Sequence, residues 1–309
     1  MIDLNKIKTY SLKKRKSKVS KEKFASVCKK GGNFKAFYNS LPKVLAANNF
    51  RKVVDSIAYA RRKNKPVIFM LGAHVIKCGL NPVIIDLINR GIVKCIALNG
   101  AGVIHDFEIA YMRSTSEDVT KGIQDGSFGM AKETAEFINS AITIGASKGK
   151  GLGRAIAEAI ARGSLPFKNS SIIYNAYKKG IPTTVHVAIG TDIIHQHPSC
   201  NGGAIGQTSL KDFHIFVEEV SKLGEGGVLV NFGSAVVLPE VFLKALTVAR
   251  NLGFKVKNFT TANFDMIYYY RPAQNVVSRP TIDSGKGYYL TGHHEIMIPL
   301  LARAIIERL

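Results

Sequence analysis

The sequence predicts an α/β protein, Rossmann-like only in the general sense of a doubly wound, mostly parallel sheet with helices on both faces and a helical N-terminal extension. Three observations predict it. Short continuous apolar runs at 66–71, 95–98 and 227–231 have the pattern of strands buried on both faces. Segments of helical period separate these runs. Strand–helix–strand alternation demands right-handed crossovers, and those place successive strands parallel.

The elements follow in order. A basic arm ends near Ser40–Pro42, and a helix rich in alanine and arginine runs through Ala58–Arg62. Pro66–Leu71 is the first strand. Asn81 is an N-cap with Pro82 at the first helical position, and Gly91 closes that helix. Cys95–Leu98 is the next strand, ending in the turn Asn99–Gly102. Ala131–Ala141 has helical spacing. Thr183–Ile189 reads as a strand, Ser209 as the cap of a helix to about Leu223, and Gly227–Asn231 as a strand. Pro239–Glu240 opens a helix towards Asn251, Phe254–Thr261 is a strand, and Pro299–Leu309 is a closing helix. The expected organisation is a basic extension, 1–40, and one domain, 41–309.

Composition narrows the function classes. The 309 residues are 46% hydrophobic and 21% charged, ample for a large core. Cys28, Cys78, Cys95 and Cys200 form no CxxC pair, which predicts a reducing, cytoplasmic setting without disulfides. No apolar run approaches a membrane span, and no apolar core follows the basic start as in a signal peptide, so no membrane partner is expected. The net charge is +21, and residues 1–30 carry eleven basic against two acidic side chains. Without interleaved aromatics this arm reads as solvated rather than as a nucleic-acid platform.

Gly145–Gly153 imitates a dehydrogenase cofactor turn, and Tyr174 and Lys178 imitate its YxxxK pair. A phosphate-binding turn must follow a strand and open a helix. Here a helical segment precedes the glycines, and too few residues separate them from Tyr174. The sequence favours a glycine loop that opens a helix.

Five of the eight histidines (His105, His195, His197, His293 and His294) fall in three segments that follow or close apolar runs. Residues just past parallel strands converge on one crevice, so these imidazoles are expected at one site. Leu71–His74 and Asn99–Gly102 are small-residue turns that let a flat or phosphorylated ligand approach the backbone. Asp192 adds a carboxylate suited to ribose hydroxyls, or a helix N-cap.

The segments PVIFMLGAHVIKCGL (66–80), VKCIALNGAGVIHDFEIA (93–110), VHVAIGTDI (185–193), GGVLVNFGSAVV (226–237), FTTANF (259–264) and PLLARAII (299–306) together resemble the deoxyhypusine synthase family. The resemblance covers most of residues 40–309. It implies a Rossmann-like domain binding NAD, and a homotetramer with sites at subunit interfaces. It also implies an N-terminal extension that can reach a neighbouring site. Family members oxidise spermidine with NAD and pass its aminobutyl group through a lysine imine to an acceptor amine. On the cofactor side the resemblance assigns Gly72, Ala73, His74, Asn99, Gly100, Ala101, Asp192, Thr261 and Ala262.

The substrate side departs from the family pattern. An acidic residue after the glycine turn is replaced near Ile104–His105, and a polyamine-binding aspartate becomes His197. Paired histidines fall at Leu238–Pro239, and an aspartate before the last helix becomes His293. The SWGK segment with the imine-forming lysine is missing; its lysine position falls on Pro280, with Lys286 as a replacement or else a turn lysine in solvent. Lys286, His197, His293 and His105 are the candidate catalytic residues.

Exchanging carboxylates for imidazoles in a basic chain predicts a neutral or anionic substrate in place of spermidine. The expected function is an NAD-dependent transferase of the aminoalkyl-transfer type with an altered, His-rich pocket. The alternatives are an authentic divergent deoxyhypusine or homospermidine synthase and a non-catalytic NAD-binding protein. His195, His197 and one of His293 or His294 have nitrogens for zinc but no clear fourth ligand, so acid–base work is the favoured use and no metal is expected.

Overall fold

The computed structural model describes residues 2–309. The chain forms two compact units, one ending at Arg51 and one running from Lys52 to Leu309. In the first, the basic arm makes three single 3₁₀ turns at Leu4–Lys6, Leu12–Lys14 and Lys21–Lys23. Its lysine-rich sequence offers no apolar face for a longer helix, and Asp3 and Ser11 accept nearby backbone N–H groups instead. The first α-helix, α1, is Phe34–Ser40. Arg51 donates to the carbonyls of Tyr38, Leu41 and Pro42 at 2.7–2.8 Å and stacks over the Tyr38 ring.

Helix α2 (Leu45–Arg62) crosses the boundary between the units. The second unit continues with β1 (Val67–Leu71), α3 (His74–Lys77), α4 (Asn81–Asn89), β2 (Cys95–Asn99) and α5 (Gly100–Met112). Four helices follow, α6 (Val119–Asp125), α7 (Lys132–Ser147), α8 (Leu152–Arg162) and α9 (Ile172–Lys178), before β3 (Thr183–His186). The chain then alternates through α10 (Gly202–Ser221), β4 (Val228–Phe232), α11 (Val237–Asn251) and β5 (Phe259–Asp265). After α12 (Tyr270–Pro272) and a π-helical segment, Ala273–Ser278, it ends in β6 (Gly285–Thr291) and α13 (His294–Arg308).

The six strands form one parallel sheet in the order β3-β2-β1-β4-β5-β6. This is the strand order of a doubly wound dinucleotide-type sheet, whose switch point lies between β1 and β4. Ile68, Met70, Cys95, Ala97, Leu229 and Phe259 pack on one face against Phe216 of α10 and Phe242 of α11. Residues one position along face the other way. There Phe232 packs against Phe69 and Phe264, and Thr260 Oγ1 donates to Ser56 Oγ of α2. Helices therefore cover both faces.

Several boundaries differ from the sequence reading. Helix α10 begins at Gly202, capped by Asn201, and Ser209 lies inside it. The Ser209 hydroxyl accepts the Val187 N–H and donates to the Val185 carbonyl, so it fastens α10 to β3. The fifth strand lies later than expected, at Phe259–Asp265. Helix α13 starts at His294 with Pro299 inside it. Asn81 does not cap; its amide donates to Asp106 and to the Ser170 carbonyl.

The glycine tract joins α7 to α8, with no strand before it. A Cβ on Gly153 would lie 2.0 Å from the Thr183 carbonyl oxygen, and one on Gly145 would lie 2.4 Å from the Ala155 Cβ. These glycines permit close packing of backbone and helices.

Candidate functional site

The carboxyl ends of the strands carry two separate clusters. The first lies beyond β2 and β3. A cavity of about 520 Å³ is lined there by Ala101, Ile104, His105, Glu108, Thr115, Thr134, Thr191 and Asp192, among others. His105 and Glu108 share a face of α5 because they stand three residues apart. The Thr115 hydroxyl lies 2.6 Å from His105 Nδ1 and donates to Glu108 Oε2. Thr134 donates to the other Glu108 oxygen at 3.2 Å. A hydroxyl has one proton, so Thr115 must accept from His105. His105 Nδ1 therefore carries hydrogen. Burial works to raise the Glu108 carboxyl, but hydrogen bonds from His105, Thr115 and Thr134 hold it below its ordinary range.

Asp192 lines this cavity on the side of the Asn99–Gly102 turn. A Cβ on Gly100 would lie 1.9 Å from Asp192 Oδ2, and that oxygen is buried with no hydrogen-bond partner. Burial raises the Asp192 carboxyl to about 6, against the Ala101 backbone N–H. The Gly102 N–H is taken by Asn99 Oδ1 at 3.0 Å. With the Ala101 and Gly102 donors engaged inside the chain, the start of α5 is a poor phosphate cradle. Asp192 lines the cavity beside this turn, with its unpartnered Oδ2 buried over Gly100.

The second cluster stands at the switch point. A Cβ on Gly72 would lie 2.5 Å from the Gly233 carbonyl oxygen. Gly233 has φ 67°, and a Cβ there would lie 2.6 Å from His294 Nε2. His294 and His74 have ring centroids 5.9 Å apart. Burial lowers His294 to about 4, helped by His74, so it is neutral at pH 7. Burial raises Asp265, opposed by a backbone N–H and the nearby His74. Gly72 and Gly233 thus let the ends of β1 and β4 close against each other and against His294, and the partly exposed Ala73 and His74 are what this turn leaves open to a ligand.

The structure separates other candidates. His197 Nε2 bonds to the Gly129 carbonyl at 2.8 Å and ties two loops together. His195 Nδ1 accepts the N–H groups of Gly190 and Asp192, which fixes the loop carrying Asp192. His293 is exposed beside Glu295, while His294 turns inward. Among the described residues no three His, Cys, Asp or Glu side chains are placed to hold one metal ion. Thr261 and Ala262 are fully buried at the third and fourth positions of β5, short of its carboxyl end at Asp265. In this chain they lie in the sheet interior.

Lys286 is the largest departure. It is the second residue of β6, in register with Thr260, at the amino-terminal edge of the sheet. At about 3.3 Å per residue, Lys286 lies roughly 17 Å along β6 from Thr291. Within one chain it does not share a site with the histidines. Pro280 is buried and has no reactive group.

The lining also differs in charge from the sequence expectation. Glu108, Glu117, Glu133 and Asp192 face Lys77 alone among charged side chains, with His105 the sole histidine. Expecting an anionic substrate from the substituted positions overlooked Glu108, Glu117 and Glu133. These three carboxylates belong to α5 and the segments after it. The spacing of His105 and Glu108 was visible in the sequence, whereas Thr115 and Thr134 had no signal beyond their residue type.

No protein-family model and no curated protein sequence matches the chain. Solved structures do. A conserved LOR/SDH protein candidate from Methanococcus maripaludis S2 is 14% identical with TM-score 0.53, over 86% of this chain and 71% of that one. AgrE, solved with ornithine and NAD+, is 14% identical with TM-score 0.54, over 85% of this chain but 34% of AgrE, so this chain spans about a third of that protein. A candidate deoxyhypusine synthase from Entamoeba histolytica is 12% identical with TM-score 0.53, over 91% of this chain and 95% of that one. At these identities the likeness is one of fold. No helix among the described residues is long and apolar enough to cross a membrane. The chain shares the fold of a deoxyhypusine synthase-like structure, in agreement with the resemblance read from its sequence.

Proposed function

We propose that this chain is an NAD-dependent enzyme of the deoxyhypusine synthase type, with its reacting groups in the cavity around His105. The observation that carries this reading is the meeting of His105 and Asp192 in one cavity at the carboxyl edge of a doubly wound sheet. AgrE, about a third of which is similar in fold to this chain, is solved with NAD+, and this supports the choice of cofactor. Asp192 and the partly exposed Ala73, His74, Asn99 and Ala101 would hold the dinucleotide, with the buried Gly72 and Gly100 shaping the turns behind them.

Bound NAD supplies a hydride acceptor. The protein's part is proton transfer and charge. With Nδ1–H directed to Thr115, Nε2 is the His105 atom left to take a proton from the substrate. Glu108 stabilises the imidazolium that forms, through the Thr115 hydroxyl. The four carboxylates of the lining suit a cationic amine, and AgrE is solved in complex with one, ornithine. An aminoalkyl transfer would need a second group to carry the product.

Calorimetry with NAD, followed by NADH absorbance on adding spermidine or ornithine, tests the reading. Saturable NAD binding weakened by Asp192→Ala, and turnover abolished by His105→Ala, are expected. No NAD binding to the intact protein would sink the proposal. NAD binding without hydride transfer to any amine would favour a non-catalytic binding protein.

A further inference from the structure

The opposite edge of the sheet carries a larger hollow. It measures about 750 Å³ and lies between α2, the amino ends of β5 and β6, and the last turn of α13. Its floor is buried: Phe259, Thr260 and Tyr288 are at most 9% exposed. Ser56 and Thr260 meet on it through their hydroxyls. Tyr59 stands over Gly226, where φ is 104° and a Cβ would come within 2.7 Å of the ring. That glycine allows one edge of the ring to approach the backbone closely while Tyr59 stays 46% exposed.

The walls are basic. Lys52, Arg62, Lys286 and Arg308 line the hollow against a single carboxylate, Asp55. Arg308 Nε already holds Asp55 at 2.8 Å. Arg62 gives one N–H to the Arg308 carbonyl, which leaves four of its five donors. Lys52, Arg62 and Lys286 have no carboxylate within 4.0 Å among the described residues. Elsewhere helical cations sit beside acids, as in Arg90–Asp86, Arg154–Glu158 and Arg303–Glu307. Three unpaired cations around one concave surface repel each other and concentrate anions there.

We propose that this hollow is a second ligand site, for a nucleoside phosphate: Lys52, Arg62 and Lys286 take the phosphates and Tyr59 stacks on the base. Guanidinium and ammonium groups are the usual phosphate partners, and an exposed tyrosine face accepts a flat ring. Lys286 then acts as a phosphate ligand in each chain, by charge alone. The site does not depend on NAD binding at the other edge.

The test is calorimetry with ADP, inorganic pyrophosphate and adenosine at physiological salt, with lysine acetylation footprinting by mass spectrometry. ADP is expected to bind one per chain and to protect Lys52 and Lys286 but not Lys77. Pyrophosphate should bind more weakly and adenosine not at all. Lys52→Ala with Lys286→Ala should weaken ADP by at least about tenfold, as expected for lost charge-assisted bonds, with NAD binding and circular dichroism unchanged. Three outcomes would overturn the proposal: no saturable binding, protection spread evenly over surface lysines, or ADP binding that survives the double variant. ADP binding lost in Asp192→Ala but kept in the double variant would place it in the crevice instead.

Discussion

Asp192 Oδ2 occupies the space into which a side chain at Gly100 would grow, 1.9 Å from where its Cβ would stand. Helix and loop are therefore fitted to each other through an absent side chain. Gly100→Ala should improve intrinsic helix propensity yet destabilise the fold, because the buried carboxylate must move. A loss of about 1–3 kcal/mol is expected. Asp192→Ala in the same chain should recover most of it. A double-mutant cycle by urea unfolding checks this, and additive effects would show that the two positions do not meet. NAD affinity should fall in both single variants and stay low in the double.

The His105–Thr115–Glu108 chain makes a prediction that needs no substrate. Thr115→Val keeps the shape but removes the oxygen between the ring and the carboxylate. His105 should then lose its fixed tautomer, which long-range nitrogen–proton NMR of the imidazole reads directly. Turnover should fall about tenfold to a hundredfold, the usual range for acid–base assistance. Thr115→Ser should retain both tautomer and rate. An unchanged imidazole spectrum in Thr115→Val would remove Thr115 from the chain.

Much of the fold was legible because β1, β2 and β4 are buried on both faces, so each appears as an unbroken apolar run. Strand β6 escaped notice for the same reason in reverse. It is a half-exposed edge strand, and Gly285, Lys286 and Gly287 give it no run to read. Helix α10 was shortened because Gly202, Gly203 and Gly206 look like loop, and Ser209 looks like a cap. Of the candidate site, the strand-end turns and Asp192 stood out in the sequence because small residues and a carboxylate follow apolar runs. The histidines misled because strand ends converge only in groups: His105 lies beyond β2, His294 lies at the switch point, and His195 and His197 brace loops. Lys286 misled because strand direction, which decides the edge a residue reaches, cannot be read without finding β6.

The glycine tract supplies a packing prediction. Gly153→Ala would place a methyl group 2.0 Å from the Thr183 carbonyl oxygen, which belongs to the sheet and has little freedom to move. The loss should reach about 2–4 kcal/mol, near the upper range for overpacking. Gly149→Ala meets no atom within 4 Å, but φ is 63°, so its cost should stay near 1 kcal/mol from backbone strain alone. Thermal melts of the two variants should rank them in that order. Equal losses would mean that the tract acts as a flexible loop rather than as a close contact.

Asp212 links stability to pH. Its Oδ2 accepts the backbone N–H groups of Gly153 and Val185, both at 2.7 Å, and so joins α8 to β3. Its Oδ1 is buried against Gly151 with no partner. Burial raises the carboxyl to about 7, outweighing those two bonds. A carboxyl raised in the folded state binds its proton more tightly there than in the unfolded chain. Its contribution is fully present below the ordinary value of 3.8 and is lost as pH rises through about 7. Asp212→Asn keeps an acceptor for both N–H groups and cannot ionise. Stability of the variant should therefore change less than wild type between pH 4 and 7. The difference should reach up to a few kcal/mol, since each tenfold gain in proton affinity on folding is worth about 1.4 kcal/mol. Urea unfolding across that range measures it. Parallel pH curves for the two proteins would show that Asp212 ionises in the fold as readily as in solution.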